Sequence, residues 1–186
     1  MSEATSAEAG AVQEASEDSI RVLFPSPIGL LAMELRGEVI TRVVIDPSKE
    51  EKAGYVSFDQ LEGSDFLDEV FGRLSEYFAG ARKSLDIRYD LKPAGVRGFS
   101  RRVLKETARI PFGRTRTYRQ IADKAGQPDA YRVVLATLVV NPLPIVIPCH
   151  RVTTNKSGIG SYVAGSDRKR WLLEMEREAL ASREEG

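Results

Sequence analysis

Three short apolar runs open the ordered part of the chain, at 20–24, 29–35 and 39–45, each rich in Val, Ile, Leu or Phe. Pro25-Ser26-Pro27 and Arg36-Gly37-Glu38 separate them, and both triplets are turn chemistry. The pattern predicts a small antiparallel sheet. The period then changes. Phe66, Val70, Phe71, Leu74, Tyr77 and Phe78 recur at helical spacing with charges between them, which predicts a helix over 65–79 that stops at Gly80. Residues 86–89 read as one more strand, and Lys92-Pro93-Ala94-Gly95 as a linker. Beyond it Phe99, Val103, Leu104 and Ala108 predict a helix over 99–110, halted by Pro111-Phe112-Gly113. Thr117 is placed to cap a short helix that Gly126 closes, and Gln127-Pro128-Asp129 to start another running to about Val140. Two short helices about a glycine-containing turn make a helix-turn-helix. Residues 153–157 read as a turn and 158–165 as a glycine-rich loop without the Gly-Lys-Ser/Thr of a phosphate loop. Ser166 or Asp167 should cap a last helix with Trp171, Leu172 and Met175 on its apolar face. The fold class is α+β: a sheet-plus-helix unit over 20–92, then a mostly helical, winged-helix-like unit over 97–180. Residues 1–19 lack aromatics and carry five acids and no Lys or Arg, the composition of a disordered acidic tail.

Charge sharpens the division. The net charge is zero, yet residues 97–173 carry 15 basic and 4 acidic side chains. That excess favours a polyanionic partner over a merely solvated face. No apolar run has the length of a membrane span, and one unpaired cysteine fits a reducing, cytoplasmic setting.

The chain has one cysteine and one histidine, and they are neighbours in Ile147-Pro148-Cys149-His150-Arg151-Val152. Before them runs Asn141-Pro142-Leu143-Pro144-Ile145-Val146, a proline-stiffened strap that cannot be helical. One Cys and one His are too few for a structural metal site, and no second cysteine exists for a disulfide. A protease dyad brings its histidine from elsewhere in the chain, because adjacent side chains diverge. Two readings of Cys149 stand: a small core hydrophobe, or a nucleophile that His150 deprotonates through a water. The N-terminal unit has no Cys, His or glycine-rich loop, and nothing in it reads as chemistry.

From Phe99 onward the chain resembles the O6-alkylguanine-DNA alkyltransferases, or methylated-DNA–protein-cysteine methyltransferases. The matching residues are Ile110-Pro111-Phe112-Gly113, Thr117-Tyr118, Arg132, Asn141-Pro142, Ile147 through Val152, Gly160-Ser161-Tyr162, Gly165, Lys169, Leu172-Leu173 and Glu176. Ser26-Pro27-Ile28-Gly29 and Tyr77-Phe78-Ala79-Gly80 match the family's N-terminal domain more loosely. The resemblance implies an irreversible, single-turnover transfer of an alkyl group from guanine O6 in duplex DNA to Cys149. It implies His150 as base through a water, Glu176 as its orienting acid, Asn141 as a brace and Tyr118 as donor to the departing guanine. Val152, Tyr162 and Val163 would line the base pocket, and Arg132 would enter from the minor groove behind the flipped nucleotide. Arg151 and Lys169 are expected on the substrate and DNA side. The implied protein is a monomer without metal or cofactor. The chemistry is coherent: the target oxygen is hidden in stacked DNA, so the base must be extruded, and displacement needs a thiolate and a protonated leaving group.

One stretch departs from the family. Where it has small residues after the arginine, as in Arg-Ala-Val-Gly, this chain has Tyr131-Arg132-Val133-Val134-Leu135. That bulk keeps a second function open, a binding module that recognises alkylated DNA without efficient transfer. A cysteine hydrolase is disfavoured, because the sole histidine adjoins the cysteine.

Overall fold

The computed structural model describes residues 19–61, 64–154 and 158–182. The expected tail, up to residue 18, and positions 155–157 of the expected turn lie outside the described residues. Ser19 is already sheet.

Strands β1 (Ser19–Ser26), β2 (Gly29–Arg36) and β3 (Val39–Ile45) form an antiparallel meander. A two-residue strand, β4 (Val56–Ser57), adds in parallel to β1, giving the order β3-β2-β1-β4. Val22, Phe24, Leu31, Met33, Leu35, Ile40 and Val43 are buried on the sheet. Helix α1 (Asp65–Phe78), capped by Ser64, supplies Leu67, Val70, Phe71, Leu74, Tyr77 and Phe78 as its buried residues. Phe24 stacks on Phe71 with centroids 4.8 Å apart, and Phe58 reaches Phe71 at 4.2 Å. Aromatic pairs like these add about 1 kcal/mol each beyond their buried area.

Residues 86–89 are not a strand. The segment makes one isolated bridge, Ile40 to Tyr89, and Asp86 turns through a φ of 48°. A left-handed residue at its head breaks the extended run that strand pairing needs.

Helices α2 (Gly98–Ala108), α3 (Tyr118–Lys124) and α4 (Tyr131–Val139) follow. Thr117 caps α3 in a reciprocal box with Gln120, and Gly126 leaves it at φ 82°, as the residue pattern anticipates. α4 begins later than expected: Gln127, Pro128 and Asp129 stay in the turn, and the first helical residue is Tyr131. α3 and α4 form the helix-turn-helix. Beside it β5 (Arg116–Thr117) pairs in parallel with β6 (Val152–Thr153) over two residues.

The last helix, α5 (Ser166–Ala181), corrects the pattern twice. Its N-cap is Gly165 at φ 91°, without a side-chain cap, so neither Ser166 nor Asp167 plays that part. Its buried residues are Lys169, Leu172 and Glu176, whereas Trp171 is 36% exposed. Helical periodicity found the helix and its buried Leu172, with Met175 partly buried beside it, but placed Trp171 too deep and missed Lys169 and Glu176, two charged side chains that point inward.

α5 also joins the two units. Arg168 donates from Nε to the Ile28 carbonyl at 2.7 Å and from Nη2 to Asp46 at 2.7 Å. Trp171 packs on Phe78 of α1 with centroids 6.3 Å apart. Gly80 at the end of α1 lies against Ala179, where a β-carbon would come within 2.7 Å. On the other flank, Val43 of β3 donates its N–H to the carbonyl of Pro142 in the strap, at 2.8 Å.

Candidate active site

The strap is buried and held by its own backbone. The N–H of Ile147 donates to Leu143 at 2.7 Å and that of Cys149 to Ile147 at 2.7 Å. Ile145 sits at φ 72°, a region that costs a β-branched residue on the order of 1 kcal/mol or more. Asn141 spans the turn. Its Oδ1 accepts from the N–H of Leu143 at 3.1 Å, and its Nδ2 donates to the Ile147 carbonyl at 3.0 Å and to Cys149 Sγ at 3.1 Å. Cys149, His150 and Arg151 then form one turn of 3-10 helix, all three buried.

Cys149 is 3% exposed. Burial pushes its thiol up to about 11; the Asn141 hydrogen bond and the Lys169 charge pull the other way. At neutral pH the group is therefore a thiol, and a base must make it a nucleophile.

His150 is fully buried. Its Nε2 faces Glu176 Oε1 at 2.9 Å, and Glu176 is a carboxylate, so that nitrogen carries the hydrogen. Burial, with Glu176 opposing, holds the imidazole below its ordinary pKa. His150 is thus a neutral Nε2–H tautomer whose Nδ1 lone pair is available. Nδ1 has no hydrogen-bond partner among the described residues.

Glu176 is the hub. Oε1 accepts from His150, from Tyr77 Oη at 2.7 Å, and from Arg151 Nη2 at 2.8 Å and Nε at 3.0 Å. Oε2 accepts from the N–H of Gly113 at 2.8 Å and from Arg151 Nε at 3.1 Å. Burial alone would raise this carboxyl, but His150 and Arg151 outweigh it and hold the group at about 2.

Arg151 and Lys169, expected on the substrate and DNA side, are both buried. Arg151 is 7% exposed; beyond Glu176 it donates from Nη1 to the Ile110 carbonyl at 2.7 Å. Lys169 is 0% exposed and donates to the carbonyls of Val152 at 2.5 Å and Ser161 at 3.1 Å. Burial lowers its pKa to about 8, with Cys149 opposing. An unmatched buried cation would be costly, so each is tied to acceptors inside. Their work is to hold Glu176 and to clasp the glycine loop onto β6.

Tyr118 opens α3 and is nearly buried, with Oη 3.4 Å from the Ser161 carbonyl. Burial and then the neighbouring Cys149 raise its pKa, so it keeps its proton as a donor. Gly160 lies against that hydroxyl at φ 75°; a β-carbon there would come within 2.8 Å of it. Tyr162 is buried, its Oη without a partner among the described residues and its ring 6.2 Å from that of His150. Val152 is buried and Val163 is 40% exposed. Arg132 is exposed on α4 and its guanidinium lies over Tyr131 at 5.7 Å. Leu135 is 37% exposed and Val139 43%, so the bulk noted on this helix faces outward.

Two groups at the hub escaped the sequence reading: Tyr77, from the unit that seemed free of chemistry, and the backbone N–H of Gly113. The signal for Tyr77 was a phenol on an otherwise apolar helix face, since a buried O–H must find an acceptor. Among the described residues no cluster of His, Cys, Asp or Glu is arranged to hold a metal ion, and no helix is long and apolar enough to cross a membrane.

Comparison with known proteins agrees with this arrangement. Residues 98–178 match the family model of the 6-O-methylguanine DNA methyltransferase DNA-binding domain. The methylated-DNA–protein-cysteine methyltransferase of Methanosarcina mazei is 38% identical over 132 residues, covering 71% of this chain and 82% of the relative. That of Mycobacterium tuberculosis is 36% identical over 153 residues, covering 82% and 88%. The crystal structure of the M. tuberculosis O6-methylguanine methyltransferase superposes with a TM-score of 0.72 at 32% identity, covering 87% of this chain and 94% of that one. A structure of the M. tuberculosis protein in complex with DNA has the same TM-score and identity, with 86% and 93% covered. A site built on one buried cysteine, in a chain this similar over most of its length, leaves one assignment: the chain belongs to the methylated-DNA–protein-cysteine methyltransferase family.

Proposed function

We propose that Cys149 accepts an alkyl group from O6 of an alkylated guanine in duplex DNA, once per molecule, as a monomer in the cytoplasm. The observation that carries this is the buried thiol held by Asn141 beside a neutral imidazole that Glu176 fixes. In the reaction His150 Nδ1 takes the thiol proton through a water. The sulfur attacks the alkyl carbon, the C–O bond breaks in line, and the guanine leaves with its charge relieved by a hydrogen bond from Tyr118. A thioether has no route back to thiol here, which makes the protein a stoichiometric reagent. Residues 97–180 form the transferring and DNA-binding unit, with Tyr162, Val152 and Val163 around the flipped base. The test is intact mass after incubation with an O6-methylguanine oligonucleotide: one added CH2, mapped to Cys149. An unmodified Cys149 at complete binding would favour the non-catalytic damage-binding module instead.

Binding rests on α4. Arg132 and Leu135 are three residues apart and both exposed, so they share one side of the helix. Arg132→Ala should weaken duplex affinity roughly tenfold, as loss of the side chain that fills the flipped base's place. Leu135→Ala should tighten it, by removing bulk that holds the helix off the groove. Titrations at two salt concentrations separate these changes from phosphate contacts, whose contribution alone falls steeply with salt.

A further inference from the structure

We propose that Tyr77, on α1 of the N-terminal unit, is a positioning residue for the base that activates Cys149. Its hydroxyl anchors the Glu176–His150 pair and sets the charge that the imidazole meets. The inference rests on the function proposed above and adds to it a residue from outside the DNA-binding unit.

Tyr77 is 1% exposed, and its neighbours on the same helix face are apolar: Leu67, Val70, Phe71, Leu74 and Phe78. Its ring meets Phe112 edge-on at 5.9 Å and Phe78 at 5.3 Å. A phenylalanine would make both ring contacts. What tyrosine adds is a buried O–H, costly unless bonded, and it is spent entirely on the catalytic pair. Oη lies 2.7 Å from Glu176 Oε1 and 3.3 Å from His150 Nε2. The shorter contact makes the hydroxyl a donor to the carboxylate. Burial first, and then the Glu176 charge, hold the phenol well above its ordinary pKa, so at neutral pH it is a donor.

His150 is faced by Tyr77 from α1, by Glu176 and Lys169 from α5, by Tyr162 from the glycine loop, and by Cys149 and Arg151 on its own turn. Only Glu176 among these favours the imidazolium strongly. Burial first, and then the Arg151 and Lys169 charges, keep His150 neutral and able to accept a proton; the Tyr77 hydroxyl acts in the same direction by drawing on Glu176's charge. Arg151 alone would leave the imidazole free to pivot about one contact. Tyr77 closes a triangle with Oε1 and Nε2: its O–H donates to Oε1, and its Oη lies 3.3 Å from the Nε2–H as a second, weaker acceptor.

Tyr77→Phe tests this, and the single histidine makes the readout clean, because nitrogen-15 labelling of histidine gives one imidazole. In wild type the signals should report the Nε2–H tautomer. In Tyr77→Phe the His150 titration should move up by about half a unit or more, since one donor to Glu176 is lost. The acid limb of the transfer rate should follow it, and the rate at neutral pH should fall about tenfold, with duplex affinity unchanged. A purely structural tyrosine would lower the melting temperature and leave the titration and the rate profile where they were; that result overturns the inference. An Nδ1–H tautomer in wild type overturns it too, without any variant. If wild type binds damaged DNA but transfers nothing, the proposed function falls, while the imidazole titration still decides the role of Tyr77.

Discussion

Replacing Cys149 by alanine abolishes alkyl transfer and leaves duplex binding in place. Cys149 is the only thiol in the chain, so no neighbouring nucleophile can take its part. The substitution is also gentle. It removes one buried sulfur, at a cost of about 1 kcal/mol for the lost volume. It orphans nothing, because Asn141 Nδ2 keeps its bond to the Ile147 carbonyl at 3.0 Å. The strap, the 3-10 turn and the helix pair α3–α4 persist. Intact mass after exposure to methylated oligonucleotide, beside a binding titration, reads both halves of the expectation. Transfer that survives in Cys149→Ala would remove the assignment of the acceptor.

Glu176→Gln has the second large effect, and it strikes stability as well as rate. Six hydrogen bonds converge on the carboxylate, from Tyr77, His150, Gly113 and three from Arg151. An amide can accept through only one atom and carries no charge, so buried Arg151 loses its counter-ion. Breaking a buried pair from one side costs about 3–5 kcal/mol. Transfer should slow about a hundredfold or more, because the imidazole loses the charged acceptor that fixes its tautomer and supports its protonation. The pH dependence checks the cause. The folded-state pKa of Glu176, about 2, is depressed from 4.5, so its contribution is complete above 4.5 and is lost as pH falls toward 2. The denaturation midpoints of wild type and Glu176→Gln should lie far apart at neutral pH and converge in that acid window. Equal midpoints at neutral pH would show that Arg151 finds another partner.

Particular residues show how far the sequence could be read. The sheet and α1 are legible because their apolar positions follow the periods of strand and helix, and the tyrosine at position 77 fits that pattern too well to draw notice. α5 is legible as a helix with Leu172 inside, but its buried charges are not, since periodicity assigns charge to the outside and Lys169 and Glu176 are inside. The resemblance implies Arg151 on the substrate and DNA side, and nothing beside it in the sequence announces a buried ion pair. The 3-10 turn instead swings it under the site to meet Glu176, 25 positions away. The proline strap announced a fixed delivery of Cys149. What the chain could not disclose without coordinates is that the same carboxylate serves the base, a buried arginine and the N-terminal unit together.

The packing of Trp171 against Phe78 gives the molecule a gauge of its own. There is one indole in the chain, partly open to solvent, and it sits on α5 where the two units meet. Its emission colour therefore follows the wetness of that seam. A redward drift would mean that α1 had lifted from α5, carrying Tyr77 away from its carboxylate.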